Sequence, residues 1–197
     1  KVADKSLFER KNYFYPDLAK GYQISQYRWP LTINGHLTLD NGHLIRINRT
    51  HQEEDTGKLT HRGTDTLIDF NRSGVPLVEI VTEPDFTDVE EIRDYAKKLQ
   101  QLCRYLGVSN ADMEKGDMRL EANVSVRPEH AEGLPNYRVE LKNINSFRFM
   151  VAAVEYEIKR QITALETGEK LSQETRGWDE DKKCTYLQRS KEDAHDY

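Results

Sequence analysis

MRLEANVSV, residues 118–126, alternates strictly between apolar and polar side chains. Successive side chains of a β-strand point to opposite faces of a sheet, so this pattern predicts a strand with one buried and one polar face. YRVELKNI, residues 137–144, repeats the pattern, with Val139 and Leu141 on its apolar face. If the two strands are neighbours, one sheet surface carries a row of polar side chains. These are Arg119, Glu121, Asn123, Arg138, Glu140 and Lys142.

Each strand-rich stretch precedes a helix pattern. Apolar residues recur with three-four spacing over residues 92–106, after Thr87 or Asp88 as N-cap and before Gly107 as the stop. A second helix is predicted to end at Gly168. Its apolar stripe consists of Phe147, Val151, Val154, Ile158, Ile162 and Leu165.

Turn residues join the strands as hairpins. Asn41-Gly42 lies between alternating apolar stretches and predicts a two-residue hairpin turn with positive φ at both positions. TLIDF (66–70) and VPLVEIVT (75–82) are further strands, and a last hairpin is predicted around residues 179–183. Hairpin turns in place of crossover helices indicate an α+β fold, a largely antiparallel sheet with packed helices. We expect residues 1–197 to form a single domain.

The composition narrows the classes of function. The formal net charge of −5 lacks the basic excess of a domain that holds nucleic acid by its phosphates alone. Two cysteines are too few for a disulfide framework, and the six histidines form no zinc motif. The glycine-rich phosphate-loop motifs are absent. The sequence contains no apolar run of about 18 residues, the length that would predict a membrane span.

Carboxylates supply the candidate chemistry. Glu79 lies between apolar neighbours in VPLVEIV, and a carboxylate there is costly unless a cation meets it. A salt bridge to Arg72 or Arg93 and a role as metal ligand are both open for it. In the run 51–55, strand alternation turns Glu54 away from its acidic neighbours. Carboxylate oxygens suit Mg²⁺, and lysine or arginine can neutralise a phosphoryl group, so a nucleotide site and a solvated polar face remain alternatives.

Seven segments, in this order, closely resemble the GatB/GatE family of tRNA-dependent amidotransferase subunits. They are ERKNYFYPDLAKGYQISQ (9–26), HQEEDTGK (51–58), DFNRSGVPLVEIVTEPD (69–85), MRLEANVSVRP (118–128), ELKNINSFRF (140–149), QETR (173–176) and AHDY (194–197). The resemblance covers essentially the whole chain. It implies a glutamine-synthetase-like cradle domain, the catalytic piece of such a subunit.

The activity that the resemblance implies is ATP-dependent and uses Mg²⁺. The side-chain carboxylate of Glu-tRNA(Gln) or Asp-tRNA(Asn) is phosphorylated, and ammonia then displaces the phosphate. The implied partners are an amidase subunit that supplies the ammonia, a further small subunit, and the mischarged tRNA. The implied location is the bacterial cytoplasm, or the matrix of a mitochondrion or plastid. The alternative is a non-catalytic scaffold or truncated paralogue of the same complex.

The resemblance also implies site residues. Glu54, Glu79, Glu121 and Glu140 match positions that coordinate Mg²⁺. Lys11, Arg119 and Lys142 match catalytic cations, of which Lys11 and Arg119 contact the nucleotide. The family usually has aspartate where Glu121 stands and alanine where Thr56 stands, and the extra methylene of Glu121 alters its reach to a metal. We expect the family's N-terminal Gly-Leu-Glu-x-His segment to complete the site.

The acidic balance generates one prediction about tRNA. The family's C-terminal helical and tail domains, which bind the body of tRNA, would lie beyond Tyr197. We therefore expect this chain alone, with its net charge of −5, to bind tRNA weakly or not at all in physiological salt. A gel-shift titration measures this affinity, and tight binding would contradict the prediction.

Overall fold

The computed structural model describes residues 1–190, so the AHDY segment (194–197) lies outside the described residues. Residues 1–190 contain two helices and eleven strands in mostly antiparallel sheets, which confirms the α+β class. The chain divides into two compact units, Lys1–Asp85 and a second unit that begins at Phe86. The assignment of residues 1–197 to one domain stays a prediction. None of the helices within residues 1–190 combines the length and the apolar character that a membrane span needs.

The first unit is built of strands. These are β1 (Glu9–Asn12), β2 (Tyr22–Ser25), β3 (Thr32–Thr38), β4 (Leu44–Glu54), β5 (Lys58–Arg62), β6 (Asp65–Asp69) and β7 (Pro76–Thr82). β4 is the centre of a three-stranded sheet and pairs with β3 on one side and β7 on the other, always antiparallel. β1 pairs with β2, and β5 with β6, in two separate two-stranded sheets.

The hairpin predicted at Asn41-Gly42 joins β3 to β4, but its turn is longer than the predicted two residues. Gly42 has φ 85°, whereas Asn41 does not have positive φ. The amide of Gly42 donates to the carbonyl of Leu39 (2.9 Å), and the amide of Leu39 donates to the carbonyl of His43 (2.8 Å). The Asn41 side chain accepts from the His43 amide (2.8 Å), so Asn41 stabilises the turn without the left-handed conformation.

The predicted strands around residues 66–70 and 75–82 are confirmed as β6 and β7, but these two consecutive strands do not pair with each other. β6 pairs with β5, a strand that the sequence pattern did not reveal. β7 pairs with β4, with Glu79 directly opposite His51. Directly opposed residues share one sheet face, so this register decides which side chains meet there.

The second unit is a four-stranded sheet with two helices. Its elements are α1 (Val89–Tyr105), β8 (Leu120–Val124), β9 (Val139–Ile144), α2 (Phe147–Glu166), β10 (Glu174–Asp179) and β11 (Cys184–Ser190). The strand order is β11-β10-β9-β8, and β9 with β10 is a parallel pair, whereas the other pairs are antiparallel. The hairpin predicted around residues 179–183 is confirmed between β10 and β11.

α2 packs on this sheet, but its buried face differs from the predicted apolar stripe. The stripe is correct at its start, where Val151 is buried and Val154 joins the core around Leu141. Toward the end of the helix Ile162 and Leu165 are each 39% exposed. Glu157 and Gln161 are fully buried instead, because they bond to each other and to groups of the sheet. The helix thus turns a polar pair inward, which apolar periodicity cannot predict.

The N-terminus of α1 yields a stability prediction. The Asp88 carboxylate accepts a hydrogen bond from the Glu90 amide (2.7 Å), which confirms one of the two predicted N-caps. Asp88→Ala removes this bond, and we expect the free energy of unfolding to fall by about 1 kcal/mol. Urea unfolding measures the change. Glu155→Ala, on an exposed position of α2, is the control and should change it by less than about 0.5 kcal/mol. Equal effects of both substitutions would contradict the cap assignment.

Candidate functional site

Three side chains converge on one face of the β4–β7 pair, and we call them the His51 cluster: His51, Glu53 and Glu79. His51 lies opposite Glu79 across the two strands, and Glu53 follows two residues later on the same face of β4. The His51 Nε2 atom is 3.2 Å from Glu53 Oε1 and 3.1 Å from Glu79 Oε2. One ligand atom from each residue lies within 4.8 Å of the others, a spacing that can hold a metal ion.

The His51 cluster balances two carboxylates against one imidazole. Hydrogen bonds to Glu53 and Glu79 raise the pKa of His51 to about 9, although burial opposes the shift. The hydrogen bond from His51 lowers the pKa of Glu79. Burial raises the pKa of Glu53, but bonds from His51 and Ser25 outweigh it, so the net shift is downward. Both glutamates therefore carry full negative charge at neutral pH.

Exposure decides how a ligand could reach the cluster. The His51 side chain is only 4% exposed, whereas the Glu79 side chain is 51% exposed. On its other side, His51 Nδ1 lies 3.3 Å from Arg49 Nε. The Nε2 proton is the one that lies between the two carboxylates, because Nε2 is within 3.2 Å of both Glu53 and Glu79. A cation would thus enter beside Glu79 and displace the Nε2 proton.

The cation that Glu79 requires is now identified. It is His51, and neither of the two arginines considered from the sequence. Arg72 lies 3.4 Å from Asp55, and Arg93 lies 3.0 Å from Glu90. His51 was not among the predicted site residues. The sequence feature that could have identified it is its two-residue spacing from Glu53 in a strand, which puts both side chains on one face.

Glu54 has a separate environment, as strand alternation predicted. Its carboxylate binds the Lys20 ammonium and accepts a hydrogen bond from the Ile24 amide (2.9 Å). Burial raises the pKa of Glu54, but Lys20 and the Ile24 amide outweigh it and the pKa is lowered. Glu54 is not a member of the His51 cluster. The structure therefore does not bring Glu54 and Glu79 into one ligand set, and Glu54 as a Mg²⁺ ligand stays a prediction.

A second group, the Lys142 cluster, lies on the β8–β9 pair and consists of Glu121, Glu140 and Lys142. Lys142 Nζ is 3.4 Å from Glu121 and 3.5 Å from Glu140. Burial lowers the pKa of Lys142, but the two carboxylates outweigh it and raise the pKa, so Lys142 stays protonated. The predicted sharing of one sheet face by these three side chains is confirmed.

A β-bulge shapes the Lys142 cluster. Leu120 pairs with Ile144 but Ala122 pairs with Leu141, so β9 contains an extra residue opposite Glu121. Asn143 has φ 59° at this point, a left-handed conformation that asparagine tolerates better than most side chains. Bulges re-aim neighbouring side chains and are frequent beside functional sites. Asn143 was not predicted to have this role, although an asparagine inside an alternating strand is a signal for such a bulge.

The remaining predicted residues are Lys11 and Arg119. Lys11 lies on β1, and its charge lowers the pKa values of Glu53 and Glu79, so it belongs to the surroundings of the His51 cluster. Its ammonium is 5.7 Å from the centre of the Tyr13 ring. Arg119 directly precedes β8 and has an exposed side chain. Their predicted contacts with nucleotide stay predictions.

The donor atoms of the two clusters can be compared with what Mg²⁺ requires. Glu53 and Glu79, like Glu121 and Glu140, offer the carboxylate oxygens that Mg²⁺ prefers. The imidazole of His51 suits zinc or iron better than Mg²⁺. The carboxylates thus fit Mg²⁺, and His51 orients them by hydrogen bonding until a cation takes the place of its Nε2 proton. For ATP, Lys142 is a cation that could contact a phosphate oxygen. Its position is defined by Glu121 and Glu140, although these two carboxylates already neutralise its charge.

Comparison with known proteins identifies the family. A family model described as the GatB/GatE catalytic domain matches residues 1–197. Proteins named as the B subunit of aspartyl/glutamyl-tRNA(Asn/Gln) amidotransferase match all of this chain. Those of Bdellovibrio bacteriovorus and Persephonella marina are each 52% identical over 199 residues, and that of Thermosipho melanesiensis is 53% identical over 203. The chain spans 42% of the length of each of these relatives.

The His51 cluster generates a prediction about cation binding and pH. A divalent cation must displace the proton of His51, whose pKa is raised to about 9. Affinity for Mn²⁺, used as a probe, should therefore rise about tenfold per pH unit up to that value. Electron paramagnetic resonance of free Mn²⁺ measures the affinity.

Two variants make this test specific. Glu79→Gln should weaken Mn²⁺ binding, because the cluster then loses its exposed ligand, and should move the pH dependence to lower pH, because His51 then keeps only Glu53 as a carboxylate partner. Glu155→Gln, an exposed residue of α2, should leave both unchanged. Affinity that is independent of pH in the unchanged chain would rule out His51 as the competing group.

Proposed function

Because the chain belongs to the GatB/GatE catalytic-domain family, we propose that it forms the catalytic part of a tRNA-dependent amidotransferase. The proposed reaction phosphorylates the side-chain carboxylate of Glu-tRNA(Gln) or Asp-tRNA(Asn) with ATP. Ammonia then displaces phosphate to give Gln-tRNA(Gln) or Asn-tRNA(Asn). The observation that carries the proposal is the convergence of paired glutamates on one cation, once in each unit of the chain.

The chemistry explains why such sites are needed. A carboxylate is a poor electrophile toward ammonia, and phosphorylation gives it a good leaving group. Phosphoryl transfer depends mainly on positioned charge, with metal ions and cationic side chains around the phosphate oxygens. Mg²⁺, when bound, supplies that neutralisation. The Mg²⁺ ligands that we propose are Glu79 in the first unit, together with Glu54 from the sequence match, and Glu121 and Glu140 in the second unit.

The cationic residues have distinct proposed roles. Lys142 is held in place by Glu121 and Glu140 and is protonated, so it can contact a phosphate oxygen without a rearrangement of β9. Lys11 neutralises the carboxylates of the His51 cluster and can contact the nucleotide. Arg119, exposed before β8, is the proposed second nucleotide contact. Before a cation binds, His51 orients Glu53 and Glu79 through its Nε2 proton.

We propose that the protein acts inside a complex. The ammonia source would be an amidase subunit, and a further small subunit and the mischarged tRNA complete the proposed assembly. The relatives are named as one subunit of an enzyme, which fits a protein that works with others. The proposed location is the bacterial cytoplasm, or the matrix of a mitochondrion or plastid.

A second candidate function is a non-catalytic scaffold of the same complex. The observation that favours it is that protein cations already neutralise the carboxylates. Lys20 binds Glu54, and Lys142 binds Glu121 and Glu140, as they would in purely structural ion pairs. Ion pairs of this partly exposed kind add little to stability, typically about 0–1 kcal/mol, which argues against stability as their main purpose.

The two candidates make opposite predictions for ATP hydrolysis by the full-length protein assembled with its partner subunits. We expect the wild type to hydrolyse ATP faster with Glu-tRNA(Gln), or with Asp-tRNA(Asn), than without it. Glu54→Gln, Glu79→Gln and Glu140→Gln should each lower this rate at least about 100-fold, because each removes a proposed ligand of the Mg²⁺ that neutralises the transferring phosphoryl group. Release of phosphate measures the rate.

Glu155→Gln is the matched control and should retain wild-type hydrolysis, since residue 155 is exposed on α2 and belongs to neither cluster. Size-exclusion chromatography shows whether each variant still assembles. Absence of tRNA-dependent hydrolysis in the wild type would favour the scaffold. Its survival in all three variants would mean either that the chain is a scaffold or that the metal site lies elsewhere.

A further inference from the structure

Glu157 of α2 is a charged residue that the proposed reaction does not use, and it is fully buried. Its carboxylate accepts hydrogen bonds from Arg160 Nε (3.0 Å), Gln161 Nε2 (2.9 Å) and Thr185 Oγ1 (2.5 Å). Arg176 Nε of β10 lies 3.1 Å from the same carboxylate. Apolar residues often replace such buried ion pairs without loss of stability. Stability alone therefore does not explain the network, and its contacts show which neighbouring side chains it can position.

Arg176 connects α2 to the edge of the sheet. Besides Glu157, its guanidinium donates to the Thr185 hydroxyl (3.1 Å) and the Thr185 carbonyl (3.3 Å) of β11. It also donates to Glu174 on its own strand (3.0 Å). A planar guanidinium with several fixed partners holds its strand more firmly than a single ion pair would. Arg176 thus fixes β10 against both α2 and β11.

β10 in turn pairs with β9, the strand that carries Glu140. The parallel pairing is short, with Thr175 beside Glu140 and Arg176 beside Leu141. Leu141 belongs to the core under α2, so Arg176 points to that face. Thr175 points to the opposite face. There its hydroxyl lies 3.5 Å from Glu140 Oε2.

These contacts form a continuous path from a buried helix residue to the Lys142 cluster. Arg176 and Thr175 are neighbours in sequence on opposite faces of one strand. Because both residues belong to one strand, the contacts that hold Arg176 on the face toward α2 also hold Thr175 on the opposite face. Glu140 then has Lys142 on one side and Thr175 on the other.

We propose that Glu157 and Arg176 are positioning residues, which hold Glu140 through β10 and Thr175 in the orientation that binds Lys142. The inference rests on the proposed function and deepens it, because it assigns residues that set the geometry of a proposed Mg²⁺ ligand. Neither residue touches the reacting groups. Loss of either should loosen the Lys142 cluster without removing any of its members.

Arg160 offers a matched control. It also binds Glu157, with its Nη2 atom 2.9 Å from the carboxylate, but it belongs to α2, and its contact with β10 is one longer ion pair, 3.7 Å from Glu174. Arg160→Met and Arg176→Met each remove one arginine from Glu157. A merely structural network predicts similar consequences for the two variants. The positioning role predicts that only Arg176→Met changes the geometry of the Lys142 cluster.

The first measurement is the reactivity of Lys142 toward an amine-acylating reagent, read by peptide mass spectrometry on the full-length protein in its complex. We expect Lys142 to react several-fold faster in Arg176→Met and in Thr175→Val than in the wild type. In Arg160→Met it should react at the wild-type rate, and in every protein the exposed Lys115 should react alike. In Thr175→Ser, unlike Thr175→Val, Lys142 should react as slowly as in the wild type, because serine keeps the hydroxyl.

The second measurement is the Mg²⁺ dependence of tRNA-dependent ATP hydrolysis in the same proteins. Arg176→Met should raise the half-saturating Mg²⁺ concentration several-fold, whereas Arg160→Met should not. A change in the maximal rate alone, at unchanged Mg²⁺ dependence, would argue against positioning of a metal ligand.

The outcomes separate the inference from the proposed function. Unchanged Lys142 reactivity in both Arg176→Met and Thr175→Val, or an equal rise in Arg160→Met, overturns the inference. If Arg176→Met fails to assemble, Thr175→Val, which leaves the buried network intact, decides alone. If the wild type shows no tRNA-dependent hydrolysis, the proposed function fails, and the reactivity of Lys142 still decides whether β10 positions Glu140.

Discussion

Two glutamates can share a small surface only if a positive charge lies between them, and this constraint shapes both units of the chain. Lys142 lies between Glu121 and Glu140, and His51 lies between Glu53 and Glu79. Each cation is partly withdrawn from water, so the attraction is stronger than at a fully exposed site. The result in each unit is a preorganised set of carboxylate oxygens.

The constraint acts through strand register. A slip of one residue moves every side chain of a strand to the other face, so the pairing of His51 with Glu79 must be kept for the His51 cluster to exist. In the second unit the bulge at Asn143 adjusts the register beside Lys142. The parallel pairing of β9 with β10 adds Thr175 beside Glu140. The backbone arrangement therefore decides the chemistry of each cluster.

Local patterns in the sequence allowed some of this to be predicted. Strict alternation in residues 118–126 and 137–144 correctly placed Glu121, Glu140 and Lys142 on one sheet face, because period two is a local property. The same rule separated Glu54 from Glu53. Both depend only on residues close together in the chain.

Features that depend on distant partners could not be predicted in this way. The His51 cluster requires β4 to pair with β7, and nothing local distinguishes that pairing from one between β6 and β7. The inward turn of Glu157 on α2 depends on Arg176 and Thr185, which lie later in the chain. Apolar spacing instead favoured Ile162 and Leu165, which are partly exposed. Burial of a polar residue is set by its partners, and partners far apart in sequence leave no periodic signal.

We propose that these carboxylates are ligands for divalent cations. Crystals of the full-length protein in its complex, grown with Mn²⁺ and a non-hydrolysable ATP analogue, allow the ions to be located by anomalous scattering. We expect anomalous peaks within coordination distance of Glu79 and of Glu140, with Lys142 displaced toward the phosphates. Well-ordered nucleotide with no peak at either glutamate, and with Lys142 still between Glu121 and Glu140, would contradict it.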